Sequence, residues 1–422
     1  MTGLLKLLLL VFQVGFVLSF KKDYVSYDNY KVYNVLHCGS DIVDKYTLLK
    51  QQKYVNNDGS DFCMQTYLVP PHKELKFLGI LRSAGINKFN LTNDNLGRSI
   101  EEEKRPGIAF KSGAPFYLTY RSYEEMIQYI NSLRDIKNYK NESVAVVENI
   151  GKSYHGRDMF LVKVSSDHSA KKPVIFFEIG IHAREWLAHA TGLYMLHQLV
   201  ENFENNSGLL DKIDYYMIPV TNPDGYEYSR EKNRLWRKTR SLFGGAYGTD
   251  GNRNFDFHWG EGGTSSDPRS EIFKGPYPFS EVEMRNVRDA GAKYAPRIKT
   301  FVSVHCYGPY ILYPWSYKTS KPAPQAELMD KIGREAALAI KKYNGTKYAV
   351  GSSTELLYEA AGGSDDYFKG VLGVDLSFTV ELSSAGRDSF VVPASEIHGV
   401  ASEAFEGFKV MAKYAANYKK NK

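Results

Sequence analysis

A histidine and a glutamate three positions apart, His182 and Glu185, stand where an apolar run gives way to a helical pattern. An imidazole nitrogen and a carboxylate at that spacing, with the chain turning between them, can face one cation. A catalytic zinc site takes three protein ligands and keeps one open position, and the third ligand commonly arrives from a distant segment. His305 closes the run Phe301-Val302-Ser303-Val304, and ligands of open α/β sheets gather at such strand ends. Alone, His-x-x-Glu is a weak signal and more often a surface pair, and a single histidine at a strand end is more often a packing residue. Glu381 ends another apolar run, Phe378-Thr379-Val380. A carboxylate there is either a costly buried charge or a group that moves protons. Arg234, Arg237 and Arg240 read as a basic stripe on a solvated helix or as guanidinium groups directed at an anion. Asp250, in Gly248-Thr249-Asp250-Gly251, suits a turn, and Asp365, after Gly362-Gly363-Ser364, suits a polar loop.

The elements that must position these groups follow from hydrophobic patterning. Residues 143–147 and 159–164 read as neighbouring strands joined by a turn near Gly151 and Gly156. The nearly continuous apolar run 173–179 suits a strand covered on both faces. A helical pattern covers 186–203, a strand 215–220, further short strands 301–304 and 376–380, and helices 325–343 and 394–418. Strands alternating with helices predict an α/β fold, an α/β/α sandwich with a mixed, mostly parallel central sheet. Ahead of it, residues 20 to about 90 alternate short strands such as 30–35 with amphipathic stretches, and a polar stretch runs on to Arg105. The charged stretch Glu101-Glu102-Glu103-Lys104-Arg105-Pro106-Gly107 reads as a linker with a processing site. Because proline hinders cutting after Arg105, cleavage at Arg98, Lys104 or Lys111 is equally open.

Composition narrows the class. The 422 residues are 43% hydrophobic and 14% aromatic, which supplies a sizeable core and excludes disorder. A net charge of +6 spread over this length, without a dense basic cluster, excludes a nucleic-acid partner. The run Leu7–Leu18 behind Lys6 predicts a signal peptide over residues 1–19, hence a secreted, extracellular chain that leaves no membrane segment after cleavage. In that compartment Cys38 and Cys63 can pair, while Cys306 is expected as a buried thiol facing away from His305. Sequons at Asn90, Asn141, Asn205 and Asn344 are available for glycosylation.

Ordered motifs then carry a resemblance. Residues 182–186 (HAREW), 220–225 (VTNPDG), 233–240 (NRLWRKTR), 251–254 (GNRN), 303–305 (SVH), 358–364 (YEAAGGS) and 378–382 (FTVEL) occur in this order. Across residues 115–422 the chain resembles the zinc metallocarboxypeptidases of the A/B type, digestive procarboxypeptidases among them, and residues 20–105 resemble their inhibitory pro-domain, which implies a small α+β open sandwich there. The resemblance implies a catalytic domain over 106–422 that holds one Zn2+ on His182, Glu185 and His305. It implies that Glu381 is the general base for a zinc-bound water, that Arg237 stabilises the developing oxyanion, and that Asp250 orients a ligating histidine. It further implies substrate binding by Arg184, Asn252, Arg253, Tyr358 and Asp365, with Asn252 and Arg253 reading the free carboxylate and Tyr358 closing over the substrate. Asp365 matches the floor of the specificity pocket, where an aspartate implies B-type release of C-terminal Lys or Arg. An A-type preference for bulky apolar residues and an inactive peptide-tail binder are the competing readings. Expected partners are peptide C-termini and an activating trypsin-like protease, with the chain acting as a monomer.

Overall fold

The computed structural model describes residues 24–37, 46–55, 61–104, 115–317, 321–387 and 389–419. The predicted signal peptide, Cys38, Arg105 and Lys111 lie outside the described residues.

The N-terminal unit is a four-stranded antiparallel sheet in the order β2-β3-β1-β4, formed by β1 (Lys31–Leu36), β2 (Thr47–Val55), β3 (Asp61–Val69) and β4 (Phe89–Asn93). Period-two alternation turns Tyr33 and Val35 of β1 and Tyr67 and Val69 of β3 to one face, where Phe77 and Leu81 of the helix Glu74–Ser83 cover them. A second helix, Leu96–Glu103, starts on an Asn95 cap and ends against the larger unit. The fold is the expected α+β arrangement. Cys63 is disulfide-bonded.

The larger unit is built on an eight-stranded sheet in the order β13-β12-β14-β11-β7-β8-β6-β5. Its strands are β5 (Ala145–Lys152), β6 (Asp158–Val164), β7 (Val174–Ile179), β8 (Asp214–Ile218), β11 (Ile298–Cys306), β12 (Tyr310–Tyr313), β13 (Ala349–Ser352) and β14 (Leu376–Leu382); a separate ribbon pairs β9 (Leu242–Phe243) with β10 (Ala246–Tyr247). The inner strands β14, β11, β7 and β8 are parallel, while β6 and β5 on one side and the β12–β14 contact on the other are antiparallel. Successive side chains feed opposite layers. Phe177 and Val302 join the core under the helices Trp186–Leu196 and Ile397–Asn417, whereas Phe176 and Phe301 join the core under Val282–Tyr294 and Ser364–Gly370. The sandwich is thus α/β/α with a mixed sheet, as the patterning predicts.

Two local readings are corrected, and one helix is absent from the sequence reading. The helical pattern from Trp186 to Phe203 is broken: the helix ends at Leu196, a π-helical turn spans His197–Glu201, and a new helix runs Phe203–Leu210. The arginine stripe is not helical, because the helix Pro223–Glu231 stops short of it and residues 233–240 form turns and extended chain. The helix Tyr123–Ser132 is marked in the sequence only by its capping box, in which Ser122 and Glu125 satisfy each other's backbone N–H. No helix among the described residues is long and apolar enough to cross a membrane.

Candidate active site

The C-terminal ends of the parallel strands bring the predicted groups together. β7 ends at Ile179, and Gly180 turns the chain at φ +75° toward His182. A Cβ on Gly180 would lie 2.0 Å from the His189 ring, so only glycine fits this turn. Glu185 closes the turn at the head of the helix Trp186–Leu196. His305 lies near the end of β11, in parallel register with Glu381 of β14.

His182 Nδ1 lies 2.8 Å from Glu185 Oε1, His305 Nδ1 lies 3.1 Å from Glu185 Oε2, and the two Nδ1 atoms are 3.1 Å apart. All three side chains are buried. The second nitrogen of each ring is already engaged: His182 Nε2 lies 3.1 Å from Asp250 Oδ1, a carboxylate oxygen that accepts, and His305 Nε2 lies 2.9 Å from Ser303 Oγ. Both Nδ1 lone pairs therefore face each other and a carboxylate, an arrangement that repels unless a cation sits between them. The donor set fits zinc. Burial pushes the Glu185 carboxyl up, but His182 and His305 hold it well below the usual carboxylate range. Burial lowers the His305 imidazole, and Glu185 with Glu381 and Glu178 outweighs it and lifts the group to about 9. The surroundings are prepared for positive charge.

Asp250 is both the turn former and the orienting carboxylate. It caps the short turn Gly251–Arg253 through the Asn252 N–H, and its other oxygen accepts from Arg237 Nη2 at 3.0 Å. Burial disfavours its charge, yet Arg237, Arg253 and His182 hold the carboxyl well below its ordinary range. Arg237 is placed by its backbone, whose carbonyl accepts from the Ala183 N–H at 2.9 Å. Asn222 reinforces that join by donating to the carbonyls of Ile181 and Lys238, both at 3.1 Å. Sequence reasoning gave Asn222 no role; its place before Pro223 marks only a helix cap.

His182, His305, Arg237, Asn252, Arg253, Tyr358, Asp365 and Glu381 line one cleft. Tyr358 is 41% exposed at its rim. Arg253 Nε donates to the Gly263 carbonyl at 2.8 Å, which fixes the direction of its guanidinium. Gly362, at φ +79°, brings the Tyr358 loop so close that a Cβ there would lie 2.5 Å from the Arg253 carbonyl. Asp365 reaches the cleft from the first turn of the helix Ser364–Gly370, and its Oδ2 accepts from Ser316 Oγ at 2.9 Å. Arg184 is brought elsewhere: it is buried, lies over the Phe390 ring, and faces Glu271 and the N-terminal unit rather than the cleft. Cys306 is a buried thiol.

Comparison with known proteins agrees with this geometry. The family model for zinc carboxypeptidase matches residues 117–407. Carboxypeptidase B of Astacus astacus is 42% identical over 301 residues, covering 71% of this chain and 97% of that protein. Carboxypeptidase A4 of Mus musculus is 34% identical over 359 residues, covering 83% and 84%. The crystal structure of thrombin activatable fibrinolysis inhibitor superposes with a TM-score of 0.82 at 29% identity, covering 93% of this chain and all of that one. With a zinc-compatible ligand set at the sheet edge and this match over most of its length, the chain belongs to the zinc carboxypeptidase family, A/B type.

Proposed function

We propose that the protein is a secreted zymogen whose activated form removes C-terminal Lys or Arg from peptides. The observation that carries the specificity is the buried carboxylate of Asp365, which lines the cleft while its neighbour Asp366 is turned to the backbone of Ser316 and Tyr317. Asp365 and Asp366 accept only from the Ser316 hydroxyl and from the backbone N–H groups of Ser316 and Tyr317, and neither forms an ion pair among the described residues. Burial and the charge of Asp365 push the Asp366 carboxyl well above its ordinary range. A substrate ammonium or guanidinium entering here meets the Asp365 carboxylate, whose hydrogen-bond partner is the neutral Ser316 hydroxyl, whereas an apolar side chain leaves that carboxylate buried without a cation.

Zinc, when bound, supplies a Lewis acid for water and for the scissile carbonyl. The chain's own residues do the rest. Glu381, beside His305, takes the proton of the attacking water and returns it to the leaving amine. Arg237 donates to the oxygen on which charge develops while Asp250 holds its guanidinium. Asn252 and Arg253 clamp the terminal carboxylate, which restricts cutting to the last peptide bond. Tyr358 closes from the rim.

The zymogen reading is supported by the way residues 24–104 hold on to the larger unit. The Glu103 carboxylate accepts two bonds from one edge of the Arg234 guanidinium, from Nε at 2.6 Å and Nη2 at 2.7 Å, fully buried, and Val25 and Tyr27 bond to Lys232 and Asn233. Cleavage at Arg98, Lys104, Arg105 or Lys111 by a trypsin-like protease would separate the two units. Secretion is supported by the apolar leader, the disulfide at Cys63 and the exposed sequon asparagines. Turnover on peptides with varied C-terminal residues, before and after trypsin and with and without a chelator, tests the reading. Release of Lys and Arg should appear after trypsin and vanish with the chelator. Full activity before trypsin, or activity indifferent to chelation, would refute it.

A further inference from the structure

Glu178 stands in the middle of the central strand β7, fully buried, where a carboxylate is costly unless it is used. Its Oε1 has no hydrogen-bond partner, so the fold bears the cost of an orphaned acceptor. Its Oε2 accepts from two hydroxyls: Ser303 Oγ at 2.6 Å and Ser364 Oγ at 2.9 Å. A serine hydroxyl has a single proton. If Ser303 donates it to Glu178, Ser303 can only accept from His305 Nε2, 2.9 Å away. That places the ring proton on Nε2 and leaves the Nδ1 lone pair for the cation. His182 reaches the same state by a shorter route, with Nε2 directly on Asp250.

We infer that Glu178, acting through the Ser303 hydroxyl, is the positioning residue that fixes the tautomer and orientation of His305 for the metal. The same oxygen reaches the other wall of the cleft, because Ser364 donates its N–H to Asn252 Oδ1 at 3.0 Å while its hydroxyl rests on Glu178. Without the carboxylate, Ser303 is free to turn its proton toward His305 Nε2. The ring proton then moves to Nδ1, where it competes with the cation. The inference rests on the reading of His182, Glu185 and His305 as the zinc ligands.

The test uses the full chain, with zinc salt as the probe and a chelating dye as competitor. Glu178→Met fills the space without an acceptor, and Ser303→Ala cuts the relay by loss of one hydroxyl. Both should weaken zinc binding roughly 10- to 100-fold. Nitrogen NMR of the metal-free Glu178→Met protein, recorded at a pH where the His305 ring is neutral, should show its proton shifted from Nε2 to Nδ1. Metal-free Glu178→Met should unfold at or above the parent's temperature, since an uncompensated buried carboxylate has gone; a purely structural Glu178 would show the reverse, with lowered unfolding temperature and parental zinc affinity. Parental affinity in both variants overturns the relay. His305→Ala separates the two readings: it should lose zinc, and if it binds zinc like the parent, the ligand assignment itself fails.

Discussion

At the metal end of the cleft, Asp250 accepts from Arg237, His182 and the Asn252 backbone, and its carboxyl is held well below the ordinary range. At the end proposed to set specificity, Asp365 lines the cleft and accepts from the neutral Ser316 hydroxyl, and the adjacent Asp366, held by backbone N–H groups, is pushed well above the ordinary range by burial and by Asp365. Burial is the same at both ends; the difference is who supplies the positive charge. The metal end balances its carboxylates with groups that belong to the chain or to a resident ion, so its geometry is set before substrate arrives. On the proposed function, the Asp365 end leaves the balance to the substrate and is selective for that reason.

The largest break in this contrast is expected at the metal end. Glu381→Gln should lower kcat by about 10²–10⁴-fold with little change in KM, measured on an activated enzyme that still binds zinc. A variant with parental turnover would remove Glu381 from the chemistry. Arg237→Gln removes both an oxyanion donor and the cation beside Asp250, and should lower kcat by about 10²–10³-fold. If it altered KM alone, Arg237 would be a binding group only.

Another buried carboxylate sharpens the comparison away from the cleft. Glu283 accepts from the Tyr154 N–H at 2.9 Å, its Oε2 has no partner, and burial lifts its carboxyl to about 7. Like Asp365, it forms no ion pair among the described residues. Its folded pKa lies above the unfolded value, so its favourable contribution is present below about 4.5 and is lost as pH rises through about 7. The loss amounts to about 3 kcal/mol by linkage. Glu283→Gln should flatten the decline of stability between those pH values, read by denaturant unfolding. An unchanged pH profile would show that this carboxylate is compensated after all.

How much of this was legible in the sequence follows from range. His182 and Glu185 are three residues apart, and strand-end placement plus the motif order brought in His305, Glu381, Asn252, Arg253 and Asp365. The sheet was legible because β7 is apolar at nearly every position, apart from Glu178 itself. That exception in a buried strand was the available signal for the Ser303 relay, but its partners lie 125 and 186 residues away and no local pattern names them. Arg184 misled for the same reason. It sits between two ligands in sequence, yet its side chain leaves the cleft for Phe390 and Glu271, contacts fixed only by tertiary packing. The arginines at 234, 237 and 240 keep a helix-like spacing, but their partners Glu103, Asp250 and the Tyr228 ring lie in three directions, which an extended segment can serve and one helix face cannot.

The most direct test of the contrast is the ratio of kcat/KM for matched peptides ending in Arg and in Phe, measured for the trypsin-activated parent and for Asp365→Leu. The parent should favour Arg, and the variant should lose about 2–5 kcal/mol of that preference, roughly 30- to 4,000-fold, and turn toward Phe. A parent that releases Phe faster, or a ratio untouched by the substitution, would contradict a specificity end whose charge is completed by the substrate.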